Sequence, residues 1–247
     1  MIDRGWALVT GAARRLGRVL ALSAARAGHD VIIHTHHPRD GDETAESVRD
    51  LGRRAIVLRG DLSDPSTPAR LFSEAPEPPT LLVNCASLFQ QDDIATLTAA
   101  SLDAAWAVNL RAPVLLAQAF AAALPSDRRG LIVNLLDQRV WRLNPLFFSY
   151  TLSKSALWTA TRTLAQGLAP RIRVNAIGPG PTLASVHQAE GDFAAEAAAV
   201  PLAAAVDPEE IGAALAYLIA APSVTGQMIA VDGGQHLAWR TPDVGGE

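Results

Sequence analysis

The stretch Trp6-Ala7-Leu8-Val9-Thr10-Gly11-Ala12-Ala13-Arg14-Arg15-Leu16-Gly17 decides the fold. Its apolar start reads as a strand, the glycines at 11 and 17 let the chain turn tightly, and Arg14 to Ala27 reads as a helix. A helix that opens directly behind a strand exposes backbone N–H groups, and its dipole favours an anion, so the turn suits a pyrophosphate. A glycine pair alone also suits a plain tight turn; the flanking strand and helix favour the phosphate reading.

Outward from that turn, short runs of large aliphatic and β-branched residues alternate with longer alanine-rich segments. Strands are expected at Trp6 to Thr10, Val31 to Thr35, Ala55 to Arg59, Leu81 to Asn84, Leu131 to Leu135, Arg173 to Ile177 and Met228 to Val231. Helices are expected at Arg14 to Ala27, Asp42 to Leu51, Pro65 to Glu74, Leu102 to Leu124, Ser149 to Leu168 and Pro208 to Ala220. The rhythm predicts an α/β fold: a single Rossmann-type, doubly wound parallel sheet of about seven strands with helices on both faces. One domain is expected over residues 1–239, followed by a loose tail at 240–247. Pro179 to Val206 is the long interval without a clear element, though its alanine-rich stretches are compatible with helix, and such an interval suits a lid over a site.

Composition narrows the function. Hydrophobic residues make up 49% and charged residues 19%, the balance of a compact folded chain. A net charge of −4, from 21 basic and 25 acidic residues, offers no basic field for nucleic acid. Cys85 is the only cysteine, which leaves no intrachain disulfide or cysteine-based metal site and fits a reducing cytoplasm. The best uncharged apolar run, Val114 to Leu124, has 11 residues, short of the roughly 18 a membrane helix needs. The first apolar run is too early and too short for a secretory signal. A cytoplasmic location without membrane or nucleic-acid partners is expected.

An NAD enzyme usually ends its second strand with a carboxylate for the ribose 2′-hydroxyl. This chain places His34-Thr35-His36-His37-Pro38-Arg39 there, and Asp30 lies at the strand's start. The histidines, Thr35, Arg39 and Arg14 or Arg15 suit a 2′-phosphate, so NADPH is the expected cofactor. A metal site on the face shared by His34 and His36, or a solvated loop, are the other readings. Asp61-Leu62 would set a carboxylate near the adenine amine, and Asn84-Cys85-Ala86-Ser87 is a small-residue turn that permits close approach. Tyr150 and Lys154, four residues apart, share one helix face. A phenol with a pKa near 10 needs tuning for neutral-pH proton transfer, and a nearby ammonium lowers that value. Lys154 also suits ribose hydroxyls, which would set the nicotinamide against Tyr150.

Together with Asn109, Pro179-Gly180 and Asp232-Gly233-Gly234, these motifs resemble the short-chain dehydrogenase/reductase family from about Trp6 to Trp239. The resemblance implies that Asn109 supports a proton-relay water beside Lys154. It also implies a homotetramer built through the helices around Leu102 to Leu124 and Ser149 to Leu168. Two departures from the family pattern are informative: Arg15 replaces the middle glycine, and Asp137 replaces the catalytic serine thirteen residues before the tyrosine. An ionised aspartate only accepts hydrogen bonds, where serine can donate to a carbonyl. Asp137 therefore disfavours a simple ketone and favours a substrate with N–H donors, or one that needs a proton at a ring nitrogen. The plainer reading is that Asp137 caps a turn.

Both departures, with Thr10 to Arg18, His34 to His37, Asn84 to Phe89, and Asp137 with Tyr150 and Lys154, resemble the pteridine reductase branch, including the bacterial dihydromonapterin and dihydrofolate reductases. The likeness implies that Arg15 contacts cofactor phosphate and pterin, that Phe89 stacks the pterin against nicotinamide, and that Ser87 contacts either ligand. Phe89 as a plain core residue is the alternative. His37 stands where that branch commonly has arginine, Cys85 where it has asparagine, and the lid from Pro181 to Val200 carries no pterin signature. The reaction implied is NADPH-dependent hydride transfer to a dihydropteridine; a carbonyl reductase such as a 3-oxoacyl reductase, or a non-catalytic NADP-binding protein, are the rivals.

Overall fold

The computed structural model describes residues 3–37, 40–185, 188 and 191–239; Arg39 and the expected tail at 240–247 lie outside the described residues. Its strands are β1 (Trp6–Val9), β2 (Asp30–Thr35), β3 (Ala55–Arg59), β4 (Leu81–Asn84), β5 (Gly130–Leu135), β6 (Ile172–Pro179) and β7 (Met228–Val231). They form one parallel sheet in the order β3-β2-β1-β4-β5-β6-β7. Both faces are covered, as parallel sheets require. Ala7, Val9, Val31, Ile33, Val83 and Val133 point into one core with α1 (Arg15–Arg26), α2 (Asp42–Asp50) and α8 (Pro208–Ala220). The alternate residues Trp6, Leu8, Ile32, Leu82 and Ile132 point into the other, against α3 (Thr67–Ser73), α5 (Ala112–Ala123) and α6 (Phe148–Leu168). The strand order reverses between β1 and β4, and a crevice opens at their carboxyl ends.

One helix differs from the sequence expectation, and the alanine-rich part of the lid interval takes the helical form open to it. The helix predicted over Leu102 to Leu124 starts earlier, as α4 (Ala99–Trp106), because Thr98 and Ser101 form a reciprocal capping box. It joins α5 through a π turn at Ala107–Arg111 that contains Asn109. The lid interval carries its own helix, α7 (Asp192–Ala198), which starts behind Gly191 at a left-handed φ of 89°. Short 3-10 turns at Gln138–Val140 and Gln235–Leu237 have no hydrophobic period to announce them. Among the described residues, no helix is long and apolar enough to cross a membrane.

Candidate active site

The crevice encloses about 1010 Å³, and nearly every residue singled out from the sequence lines it. On the side of β1 and β2 lie Gly11, Arg14, Arg15, Leu16, Gly17, His36 and His37; beyond β3 lie Asp61 and Leu62; after β4 come Ala86, Ser87 and Phe89. Asp137, Tyr150 and Lys154 line the opposite wall, and Pro179 and Gly180 border it below the lid. Two expected residues stand behind the wall. Asn84 is buried and donates to Asn134 Oδ1 at 2.8 Å. Asn109 is fully buried; its side chain accepts from Leu88 N–H at 2.8 Å and Ser87 Oγ at 3.1 Å, and donates to Leu88 O and Ser153 Oγ. It thereby clamps the Ser87–Phe89 loop to α6.

The glycine turn is set by sterics. A Cβ at Gly17 would sit 2.0 Å from the Gly11 carbonyl oxygen, so only glycine permits this approach of helix to strand. Arg15 holds a left-handed φ of 53°, a conformation that costs a non-glycine residue roughly 1–3 kcal/mol. Glycine would adopt this conformation without that cost, so Arg15 is the strained residue of the turn. Its guanidinium donates to the carbonyls of Leu183 and Ala184, at 3.2 and 2.8 Å, and so ties the turn to the lid.

The histidines divide. His34 is buried, accepts from Gly11 N–H at 3.4 Å through Nδ1 and has Nε2 3.1 Å from Gly60 O. Both nitrogens face backbone, and burial holds it neutral with a pKa lowered to about 4. His34 is therefore a strut of the turn, a correction to its place among the phosphate ligands. His36 and His37 are exposed at the cavity edge, with His36 Nδ1 3.9 Å from Asp61 Oδ1.

On the other wall, the two oxygens of Asp137 have separate tasks. Oδ1 caps the 3-10 turn by accepting from Arg139 N–H at 2.8 Å, and Oδ2 accepts from the Tyr150 hydroxyl at 3.0 Å. The capping reading holds, and the same carboxyl group also meets the Tyr150 hydroxyl. Burial pushes the Asp137 carboxyl above its ordinary range. Tyr150 corrects an expectation: burial first, then the Asp137 charge and hydrogen bond, hold its phenol pKa well above the ordinary value. The ammonium of Lys154 lies 5.6 Å from the centre of the Tyr150 ring and donates to Leu135 O at 2.7 Å. Burial lowers its pKa to about 8. The protein thus presents a protonated phenol, backed by a carboxylate and a buried cation.

Sequence reasoning passed over several lining residues. Phe147 stacks on Phe89 with centroids 4.2 Å apart and planes 6° from parallel, and Phe89 meets Tyr150 edge-on at 4.7 Å. Half-buried Phe89 is therefore part of the cavity wall. Arg139, and from the lid side Gln188, Phe193, Glu196 and Gln235, also line the cavity. Phe147 and Arg139 lie within three residues of Tyr150 and Asp137, a proximity that could have flagged them; the lid residues carry no such signal. Among the described residues, no group of three histidine, cysteine or acidic side chains is placed to hold a metal.

The fold and the tyrosine–lysine site define a Rossmann-type oxidoreductase. A family model described as Enoyl-(Acyl carrier protein) reductase matches residues 11–236, and the chain belongs to the short-chain dehydrogenase/reductase family. An uncharacterized oxidoreductase of Mycobacterium tuberculosis is 34% identical over 244 residues, covering 94% of this chain and 92% of that protein. Among solved structures, FolM Alternative dihydrofolate reductase 1 from Brucella canis, complexed with NADP, is 49% identical with a TM-score of 0.93, covering 99% of this chain and 98% of that one. Its counterpart from Brucella suis, also in complex with NADP, is 50% identical with a TM-score of 0.93, covering 99% of this chain and 100% of that one.

Proposed function

We propose that this enzyme is an NADPH-dependent reductase of dihydropteridine-type substrates. The observation that carries the reading is the 3.0 Å hydrogen bond from Tyr150 to Asp137, in a wall shared with the Phe89 ring. When bound, the nicotinamide supplies hydride. The pyrophosphate fits the Gly11–Gly17 turn, where glycine lets the helix start pack directly on the strand end, and His36, His37 and Arg14 border the place of a 2′-phosphate. Reduction of a C=N bond also needs a proton at nitrogen. The Tyr150–Asp137 pair holds that proton, and the Lys154 ammonium offsets the negative charge left after delivery. Asp137 accepts from substrate N–H groups while Phe89 and Arg15 border the flat ring. The NADP-bound FolM structures support the cofactor and the substrate class, and the reducing chemistry suits the cytoplasm.

The test is NADPH oxidation against dihydrofolate, dihydrobiopterin, dihydromonapterin and an acetoacetyl thioester in one panel, with NADH as the competing cofactor. Turnover of at least one pteridine, with a lower KM for NADPH than for NADH, is expected. Asp137→Ser should lower pteridine kcat/KM by about 10²-fold, the size typical of losing an acid–base group. Turnover of the thioester alone, or undiminished pteridine reduction by Asp137→Ser, would overturn the reading.

A further inference from the structure

Arg139 stands at the junction of the catalytic pair and the aromatic wall. Its Nε lies 3.9 Å from Asp137 Oδ1, and its guanidinium carbon is 5.0 Å from the Phe147 ring centre and 5.9 Å from that of Phe89. Asn144 Oδ1 accepts from Nη1 at 3.2 Å, which fixes the fork in that corner. The side chain is only 17% exposed, so its charge is poorly screened. A cation that is anchored and part-buried here stands at ion-pair range of the carboxylate, without a direct side-chain hydrogen bond to it.

We propose that Arg139 is the positioning residue of the catalytic pair: its guanidinium supplies the positive charge that pairs with Asp137 and braces the Phe89–Phe147 stack beside it. The inference rests on the proposed function only for the identity of the substrate. The charged and titratable groups around Asp137 are few. Arg139 comes from its own turn, Tyr150 and Lys154 from α6, and Cys85 acts on the latter two from behind β4. His236, packed edge-on against Trp141 at 5.1 Å, is engaged by Asp232 at 2.7 Å, and Glu196 stands on the lid. Burial opposes the Asp137 charge, and Arg139 opposes burial through both its backbone N–H and its guanidinium. The same guanidinium pulls the Tyr150 phenol down against Asp137.

Removing the charge and keeping the side chain's polarity isolates this role. Arg139→Gln should move the acidic limb of the kcat/KM profile to higher pH by about one unit, the low end of the shift an opposite charge at this range produces. Activity then falls about tenfold on that limb, more than on the plateau, and the dissociation constant for NADPH is unchanged within about twofold. Arg139→Lys should keep most of the wild-type profile. If Arg139→Gln does not fold, Asn144→Ala, which frees the guanidinium from its anchor, should shift the same limb upward by a smaller, measurable amount. A profile superimposable on wild type in a folded variant overturns the proposal, as does movement of the basic limb alone, which would mean that Asp137 works protonated. If the panel shows turnover of the thioester and of no pteridine, the proposed function fails while the same profile, measured on the thioester, still decides the role of Arg139.

Discussion

At the scale of single residues, the site is arranged against the stability of the fold. Lys154 is 2% exposed and its pKa is lowered from 10.5 to about 8. That shift of about 2.5 units corresponds to roughly 3 kcal/mol that the charged lysine withholds from folding. The hydrogen bond to Leu135 O, worth about 1–3 kcal/mol when a buried acceptor would otherwise be orphaned, partly offsets it. The pH dependence has a definite sign. Below pH 8 the lysine is charged in both states and the penalty is whole. As pH rises from about 8 to 10.5 the folded state sheds its proton first, so the penalty shrinks and vanishes. Lys154→Met should therefore be at least as stable as wild type at pH 7 in urea unfolding. Its advantage should narrow between pH 8 and 10, while kcat falls by at least about 10²-fold. An advantage that grows over that interval would show that the buried amine is not the source of the cost.

At the scale of elements, the start of α6 decides whether Tyr150 meets Asp137. Its N-cap, Phe147, is left-handed at φ 55° and brings no side-chain cap of its own. Asp92 supplies the missing acceptor from the loop behind β4: its carboxylate takes Ser149 N–H at 3.1 Å and the Ser149 hydroxyl, and its carbonyl takes Phe148 N–H at 3.3 Å. An anion here also complements the helix dipole. The same loop carries Phe89, so one carboxylate fastens the aromatic wall to the tyrosine helix. Asp92→Ala should cost about 1–3 kcal/mol in urea unfolding and lower kcat, while Asp92→Asn, which keeps an acceptor, should lose less; equal losses in both would refute the capping role. This joint also shows what the sequence could disclose. The strands were legible because each is a short apolar run, and Tyr150 and Lys154 because their spacing fits one helix face. Asp92 was not, since an acidic residue 57 positions before its partner has no local pattern. Nor was the π turn: the extra residue that turns Asn109 toward the loop after β4 leaves the alanine-rich period around it unbroken. Glu196 on the lid accepts hydrogen bonds from Gln188, also on the lid, and from Gln235 in the turn after β7, at 2.7 and 3.3 Å, contacts that only the folded chain creates.

At the scale of the whole molecule, the two halves of the sheet divide the labour. The side of β1 to β3 holds the glycine turn and the histidines, the side of β5 to β7 holds the Tyr150–Asp137 pair and the lid, and Arg15 bridges them. The helices behind the second half leave apolar surface uncovered. Trp106 on α4 and Leu152 on α6 are each 40% exposed, and the two helices pack side by side. A contiguous exposed apolar patch on such a face would mark an association surface. A closed, symmetric oligomer would bury that surface twice over, once in each copy of a two-fold interface. We expect the homotetramer that the family resemblance implies, assembled through α4, α5 and α6. Light scattering at micromolar concentration should report four chains of 26.0 kDa, about 104 kDa, and Leu152→Glu should shift the population towards smaller species. A wild-type mass of a single chain would exclude this assembly and leave Trp106 and Leu152 as unpaired surface.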